Sequence, residues 1–278
     1  MTEKETEHNL LMEFIEQDCF VDINKKIDYP PVALSYGEKV IQSAKGDSII
    51  PIALGTFGNL SVVTAPPKTK KSFFCSLLAS AYLSGSNIYS GDIKGHRGNG
   101  DLIHFDTEQG IWHAAKVFRR PLDMDSNIPK DKYHTFALRT VAFKERLEFI
   151  EYYLKEKINE PSLVILDGVA DLCADVNNIE QSNNLVSALM RISTQCNVHI
   201  ICVIHQNYGS QKLGTGHLGS ALEKKAETVI SLESNTVNKD WITVKCGRSR
   251  GYSFETFSFE VNEKGLPVIV GDLYDPLK

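Results

Sequence analysis

The octamer Ala65-Pro66-Pro67-Lys68-Thr69-Lys70-Lys71-Ser72 follows the apolar run Leu60 to Thr64 and precedes the apolar stretch Phe73 to Leu83. A buried strand, a basic turn and a helix opening beside a serine is the layout of a nucleotide phosphate loop. The ordinary pattern, G-x-x-x-x-G-K-S/T, wraps backbone N–H groups around phosphates, sends its lysine to the β and γ oxygens and gives its hydroxyl to Mg²⁺. Lys71 and Ser72 keep the two side chains that do chemistry. Ala65 and Lys70 stand where the glycines belong, so the spacing survives while the residue best suited to strained backbone and close phosphate approach is lost. A purely structural strand, turn and helix would look much the same, and the reading depends on the rest of the chain.

Leu102-Ile-His-Phe-Asp-Thr-Glu108 is an apolar strand ending in carboxylates, and Ser162-Leu-Val-Ile-Leu-Asp167 is a run of branched apolar residues closing on an aspartate. Such runs suit buried parallel strands. An aspartate at the carboxyl end of one lies at the crevice where α/β sheets bind ligands. There Asp167 can hold Mg²⁺ through water, opposite the Ser72 hydroxyl. Its neighbour is Gly168, so no glutamate follows it directly, and Glu108 is the candidate to orient an attacking water. A fourth strand, His199 to His205, ends on the polar pair His205-Gln206, which places Gln206 as the candidate sensor of the γ-phosphate.

Phosphate loop, glutamate, metal aspartate and glutamine, each at the end of its own strand, follow the chain order of RecA-like ATPases. The chain resembles the RecA/DnaB-type P-loop ATPases, and among them the stand-alone ATPases related to the plasmid helicase RepA that travel on bacterial mobile elements. The resemblance runs from about Gly55 to about Val270, and its more specific phrases are Gly58-Asn-Leu-Ser61, Leu166-Asp-Gly-Val-Ala-Asp-Leu172, His205-Gln-Asn207 and Gly216-His-Leu-Gly-Ser220. It implies a Mg²⁺-dependent ATPase that acts on DNA in the replication or transfer of a mobile element. It also implies a homo-oligomer, a hexameric ring, with ATP bound between subunits and single-stranded DNA as partner. In Lys245-Cys-Gly-Arg-Ser-Arg250 the resemblance assigns Lys245, with Arg248 or Arg250, to the neighbouring subunit's γ-phosphate. An arginine supplied in this way is worth about 10³ to 10⁵ in rate. Two loops sit where such proteins touch DNA, Asp171 to Gln181 and Asn207 to His217. In the second, Lys212 is the candidate phosphate contact and Tyr208 the candidate base-stacking ring. The runner-up function is a nucleotide-binding switch or assembly protein with weak or no hydrolysis.

Strands alternating with helical stretches from Leu60 to His205 imply a doubly wound, mainly parallel α/β sheet covered on both faces, and the alternating segments after Thr228 imply antiparallel strands added to one edge. Residues 1–50 divide into a short charged helix and an extended packing arm, and 51–278 form the ATPase domain. A length of 278 residues suits one α/β unit with a lead-in. The acidic opening Met1 to Glu7 lacks a signal-peptide core and no apolar stretch reaches about 18 residues, so the expected location is cytoplasmic, with no membrane partner. The net charge of −5 argues against an all-over nucleic-acid coat. Six cysteines without C-x-x-C spacing are reduced core thiols, and His104, His113, His199 and His205, set among apolar or helical neighbours, are not metal ligands.

Overall fold

The computed structural model describes residues 3–42, 46–206 and 214–270. The chain divides into two compact units, Met1–Pro30 and Pro31–Lys278. The first carries helix α1 (Glu3–Cys19), with Leu10, Leu11, Phe14 and Ile15 exposed. The second opens with strands β1 (Val32–Ile41) and β2 (Ser48–Thr56), continues through β3 (Leu60–Ala65), α2 (Lys71–Ser84), β4 (Ile93–Gly95), β5 (Asp101–Asp106), α3 (Ile111–Met124) and β6 (Tyr133–Ala137), and then α4 (Phe143–Tyr152), β7 (Pro161–Asp167), α5 (Ile179–Gln195), β8 (His199–His205) and α6 (Gly216–Lys225). Four strands close it: β9 (Thr228–Ser234), β10 (Ile242–Ser249), β11 (Phe257–Val261) and β12 (Pro267–Val270).

Nine strands form one sheet in the order β12-β11-β10-β9-β3-β8-β7-β5-β6. The run from β9 to β6 is parallel, and β10, β11 and β12 add antiparallel at the β9 edge. Period-two alternation explains why the central strands are apolar throughout. Along β7, Leu163 and Ile165 enter one core with α2, whereas Val164 and Leu166 enter the other with α5 and α6. This is the doubly wound sheet with antiparallel edge strands that the sequence implies.

One segment differs from the sequence reading. The lead-in expected as an arm up to residue 50 holds β1 and the start of β2, which pair antiparallel and belong to the larger unit; β4 adds to the other side of β1. Ala33, Leu34 and Leu54 from this small sheet are buried in the α2 core. Gly95 lets β4 press on α2: a Cβ there would lie 2.4 Å from the Tyr82 Cα. Among the described residues no helix is long and apolar enough to cross a membrane.

Candidate functional site

Parallel pairing puts the carboxyl ends of β3, β8, β7 and β5 side by side, although their chain order is β3, β5, β7, β8. That rearrangement brings four distant segments to one crevice. The phosphate loop leaves β3 at Ala65, whose carbonyl accepts the Gln206 N–H at 2.9 Å, and Thr69 closes the loop by donating its hydroxyl to the Pro66 carbonyl at 2.6 Å. Lys68 and Lys70 adopt left-handed backbone, φ +66° and +58°. The loop thus takes a shape that glycine adopts freely, with two lysines bearing a cost of about 1–2 kcal/mol each.

Lys71 opens α2 and is half-buried. Its ammonium donates to Nδ1 of His205 at 2.9 Å. Because an ammonium can only donate, Nδ1 is the acceptor and Nε2 carries the ring proton, directed at the Glu108 Oε1 3.4 Å away. Burial lowers the Lys71 pKa, opposed by the charges of Glu108 and Asp167. The His205 hydrogen bond holds the Glu108 carboxyl below its ordinary range. Glu108 is therefore ionised at neutral pH.

Glu108 is aimed by its own turn. The buried Asp106 accepts the backbone N–H groups of Glu108 at 3.0 Å and Gln109 at 2.7 Å, and the Gln109 side chain at 2.8 Å. Across the crevice Gly168 has φ +114°, and a Cβ on it would lie 2.6 Å from the Glu108 Oε1. The residue after the β7 aspartate must therefore be glycine for Glu108 to occupy this position. Thr107 ties the two strand ends together through its N–H to the Asp167 carbonyl and its hydroxyl to the Gly168 carbonyl and the Asp171 carboxylate. Asp171 is thereby a partner of Thr107.

Ser72 donates its hydroxyl to Asp167 Oδ2 at 2.8 Å. Burial pushes the Asp167 carboxyl up to about 6, with the Ser72 hydrogen bond opposing. A hydroxyl and a buried carboxylate, with no cationic hydrogen-bond partner among the described residues, form the hard-oxygen set that Mg²⁺ takes together with waters and phosphate oxygens. Arg120 on α3 lies alongside, its guanidinium 3.8 Å over the Phe73 ring and Nη1 3.5 Å from the Ser72 carbonyl.

The structure thus gathers Ala65 to Ser72, Glu108 and Asp167 into one place. His205 joins them, although sequence reasoning assigned the sensor to its neighbour: Gln206 is buried and its backbone N–H joins β8 to the loop, but the ring touching Lys71 and Glu108 is His205. The polar pair ending an apolar strand was the available signal. Strand alternation turns adjacent side chains in opposite directions, so only one of the pair meets Lys71. Tyr208 and Lys212 lie outside the described residues.

Lys245, Arg248 and Arg250 do not join the crevice. The antiparallel β10 runs away from the phosphate loop, pairing Lys245 with Ser231 and Ser249 with Thr228, and Thr228 is level with Ser61 at the start of β3. At about 3.3 Å per residue the Arg250 backbone lies roughly 15 Å or more down the sheet from the loop. Lys245 pairs with Glu233 at 3.0 Å, Arg250 donates to the Lys225 carbonyl at 2.8 Å, and Arg248 is exposed.

Comparison with known proteins agrees with this architecture. No curated protein matches the chain. A family model described as "AAA domain" matches residues 52–211, more than half of the chain. Among solved structures, one titled as an ATPase domain is similar at 14% identity and a TM-score of 0.55, covering 78% of this chain and 87% of that one. The flagellar accessory protein FlaH from Methanocaldococcus jannaschii is similar at 15% identity and 0.54, covering 78% and 91%. The RadB recombinase is similar at 17% and 0.52, covering 76% and 91%. With Lys71, Ser72, Glu108 and Asp167 at the ends of adjacent parallel strands, the chain belongs to the AAA domain family and shares its fold with these solved structures.

Proposed function

We propose that this protein binds Mg·ATP at the crevice, hydrolyses it, and uses the hydrolysis to act on DNA as a homo-oligomer in the replication or transfer of a mobile element. The observation that carries the reading is the convergence of Lys71, Ser72, Asp167, Glu108 and His205 at the carboxyl ends of four adjacent strands. Lys71 holds the β and γ oxygens, and for that it must leave His205. Ser72 and Asp167 would hold Mg²⁺, which would neutralise charge developing on the phosphoryl oxygens. Glu108, ionised and fixed by the Asp106 turn, orients the attacking water, and His205, freed from Lys71, reports the γ-phosphate to Gln206 and the segment that follows. Lys245 with Arg248 or Arg250 serves the neighbouring subunit's site, because β10 carries the arginines away from the site of their own chain. Single-stranded DNA meets Tyr208, Lys212 and the segment between Asp171 and Gln181.

The second reading is a nucleotide switch that binds ATP and hardly turns it over. The left-handed Lys68 and Lys70, and Lys71 held by His205, favour it, since each adds a cost to forming the phosphate cradle. Steady-state phosphate release, with and without single-stranded DNA, separates the two. DNA-stimulated turnover that Lys71→Ala abolishes supports the motor; nucleotide-dependent assembly without turnover supports the switch. Equal ATP affinity of wild type and Lys71→Ala by calorimetry would remove both.

A further inference from the structure

Lys70 poses the question of what a lysine supplies where a glycine would bend more cheaply. Its backbone is left-handed, φ 58° and ψ 32°, and its carbonyl accepts the Phe73 and Phe74 N–H groups that start α2. Glycine would do the same without strain. What the lysine adds is its ammonium, which does not turn toward His205 and Glu108 as that of Lys71 does. It donates to the Asp240 carbonyl at 2.9 Å, across to the turn joining β9 and β10.

That turn is internally braced. Asn235 accepts the N–H groups of Val237 and Asn238, and its amide donates to Thr243 on β10. Trp241 donates its backbone N–H to Asn238 and its indole N–H to Glu260 on β11 at 2.9 Å. These bonds tie the turn that holds Asp240 to both β10 and β11. β10 leads directly to Lys245, Arg248 and Arg250.

We propose that Lys70 is a positioning residue that couples the phosphate loop to the β9–β10 turn, so that filling the loop shifts the strand presenting Lys245, Arg248 and Arg250 to the next subunit. This rests on the nucleotide reading given above. A loop of ordinary sequence, with glycine at this position, lacks the connection. The substitution that weakens the phosphate cradle thereby links one subunit's nucleotide state to the groups it offers its neighbour.

Trp241 adjoins Asp240 and is one of the two tryptophans in the chain, so a W112F background leaves it as the sole tryptophan reporter. Binding of ATP with Mg²⁺ is measured by calorimetry and Trp241 emission is recorded in the same samples. In the W112F protein, nucleotide should change the emission, and K70R should keep that change. K70G and K70M, each read at a nucleotide concentration where calorimetry shows it saturated, should lose the emission change. An unchanged Trp241 response in nucleotide-bound K70G or K70M overturns the proposal, as does a silent Trp241 in a parent that binds. Loss of ATP binding in both K70G and K70M would assign Lys70 to the phosphates in place of the tether. If W112F binds no nucleotide by calorimetry, the site reading itself fails, a result distinct from uncoupling.

Discussion

Asp167→Asn should make the protein more stable and inactive. The carboxylate is 5% exposed, its pKa is raised by burial, and among the described residues no cation bonds to it directly. Moving a carboxyl from 3.8 to about 6, at 1.36 kcal/mol per pKa unit, corresponds to about 3 kcal/mol. The sign follows from linkage: the folded state binds this proton more tightly than the unfolded state does. The cost of the charge is therefore fully present above about pH 6 and disappears as pH falls toward 3.8. Asparagine keeps an acceptor for the Ser72 hydroxyl and removes the charge. Urea unfolding of the nucleotide-free protein at pH 7.5 should show Asp167→Asn more stable by up to about 3 kcal/mol, with the gap closing toward pH 4, while Mg²⁺-dependent ATP hydrolysis is lost. Such exchange of stability for function is the usual mark of a site built around a strained group. A variant less stable than wild type at pH 7.5, or a stability gap that ignores pH, would refute the reasoning, because it would mean that the buried carboxylate is already compensated.

Glu108→Gln should bind ATP normally in calorimetry while phosphate release falls by about 10² or more; unchanged turnover would move the base elsewhere, to Asp171, since Asp106 is engaged by its turn. Gly168→Ala forces a side chain into left-handed backbone and against Glu108, so thermal melting should drop by roughly 2–8 °C and hydrolysis should fall with ATP affinity kept. An inactive Arg248/Arg250 double mutant mixed with inactive Lys71→Ala should regain part of the ATPase activity once subunit exchange is established by energy transfer, and absence of rescue at every ratio would withdraw the in-trans assignment.

Much of the crevice was legible because buried parallel strands announce themselves. Ser162 to Asp167 and His199 to His205 are continuous apolar runs ending on polar groups, and both became central strands. Helix α6 was not legible: Gly216 and Gly219 look like loop, yet Gly219 is there because a Cβ would lie 2.1 Å from the Gly214 carbonyl carbon. The β1–β2 pair was hidden for a different reason. Register shifts between Val32 and Glu38 and a positive φ at Gly37 break the two-residue alternation that identifies a strand. The Lys71–His205–Glu108 chain was legible only as far as the polar pair that ends β8. It depends on β8 lying between β3 and β7, a spatial order that no local pattern encodes.

The same order explains why a phosphate loop can lose both glycines and keep its shape. Ala65 needs no special backbone, since its carbonyl is held by the Gln206 N–H of the adjacent β8. Lys70 does need it, and there the strain of about 1–2 kcal/mol is offset in part by an ammonium–carbonyl hydrogen bond of a kind worth about 1.5–3 kcal/mol when its partner is charged. Exposure of the Lys70 contact puts it at the low end of that range, so the two terms nearly cancel. A loop balanced in this way is shaped by its contacts with β8 and the β9–β10 turn more than by glycine freedom. Its geometry should therefore follow the state of those two neighbours, β8 and the β9–β10 turn.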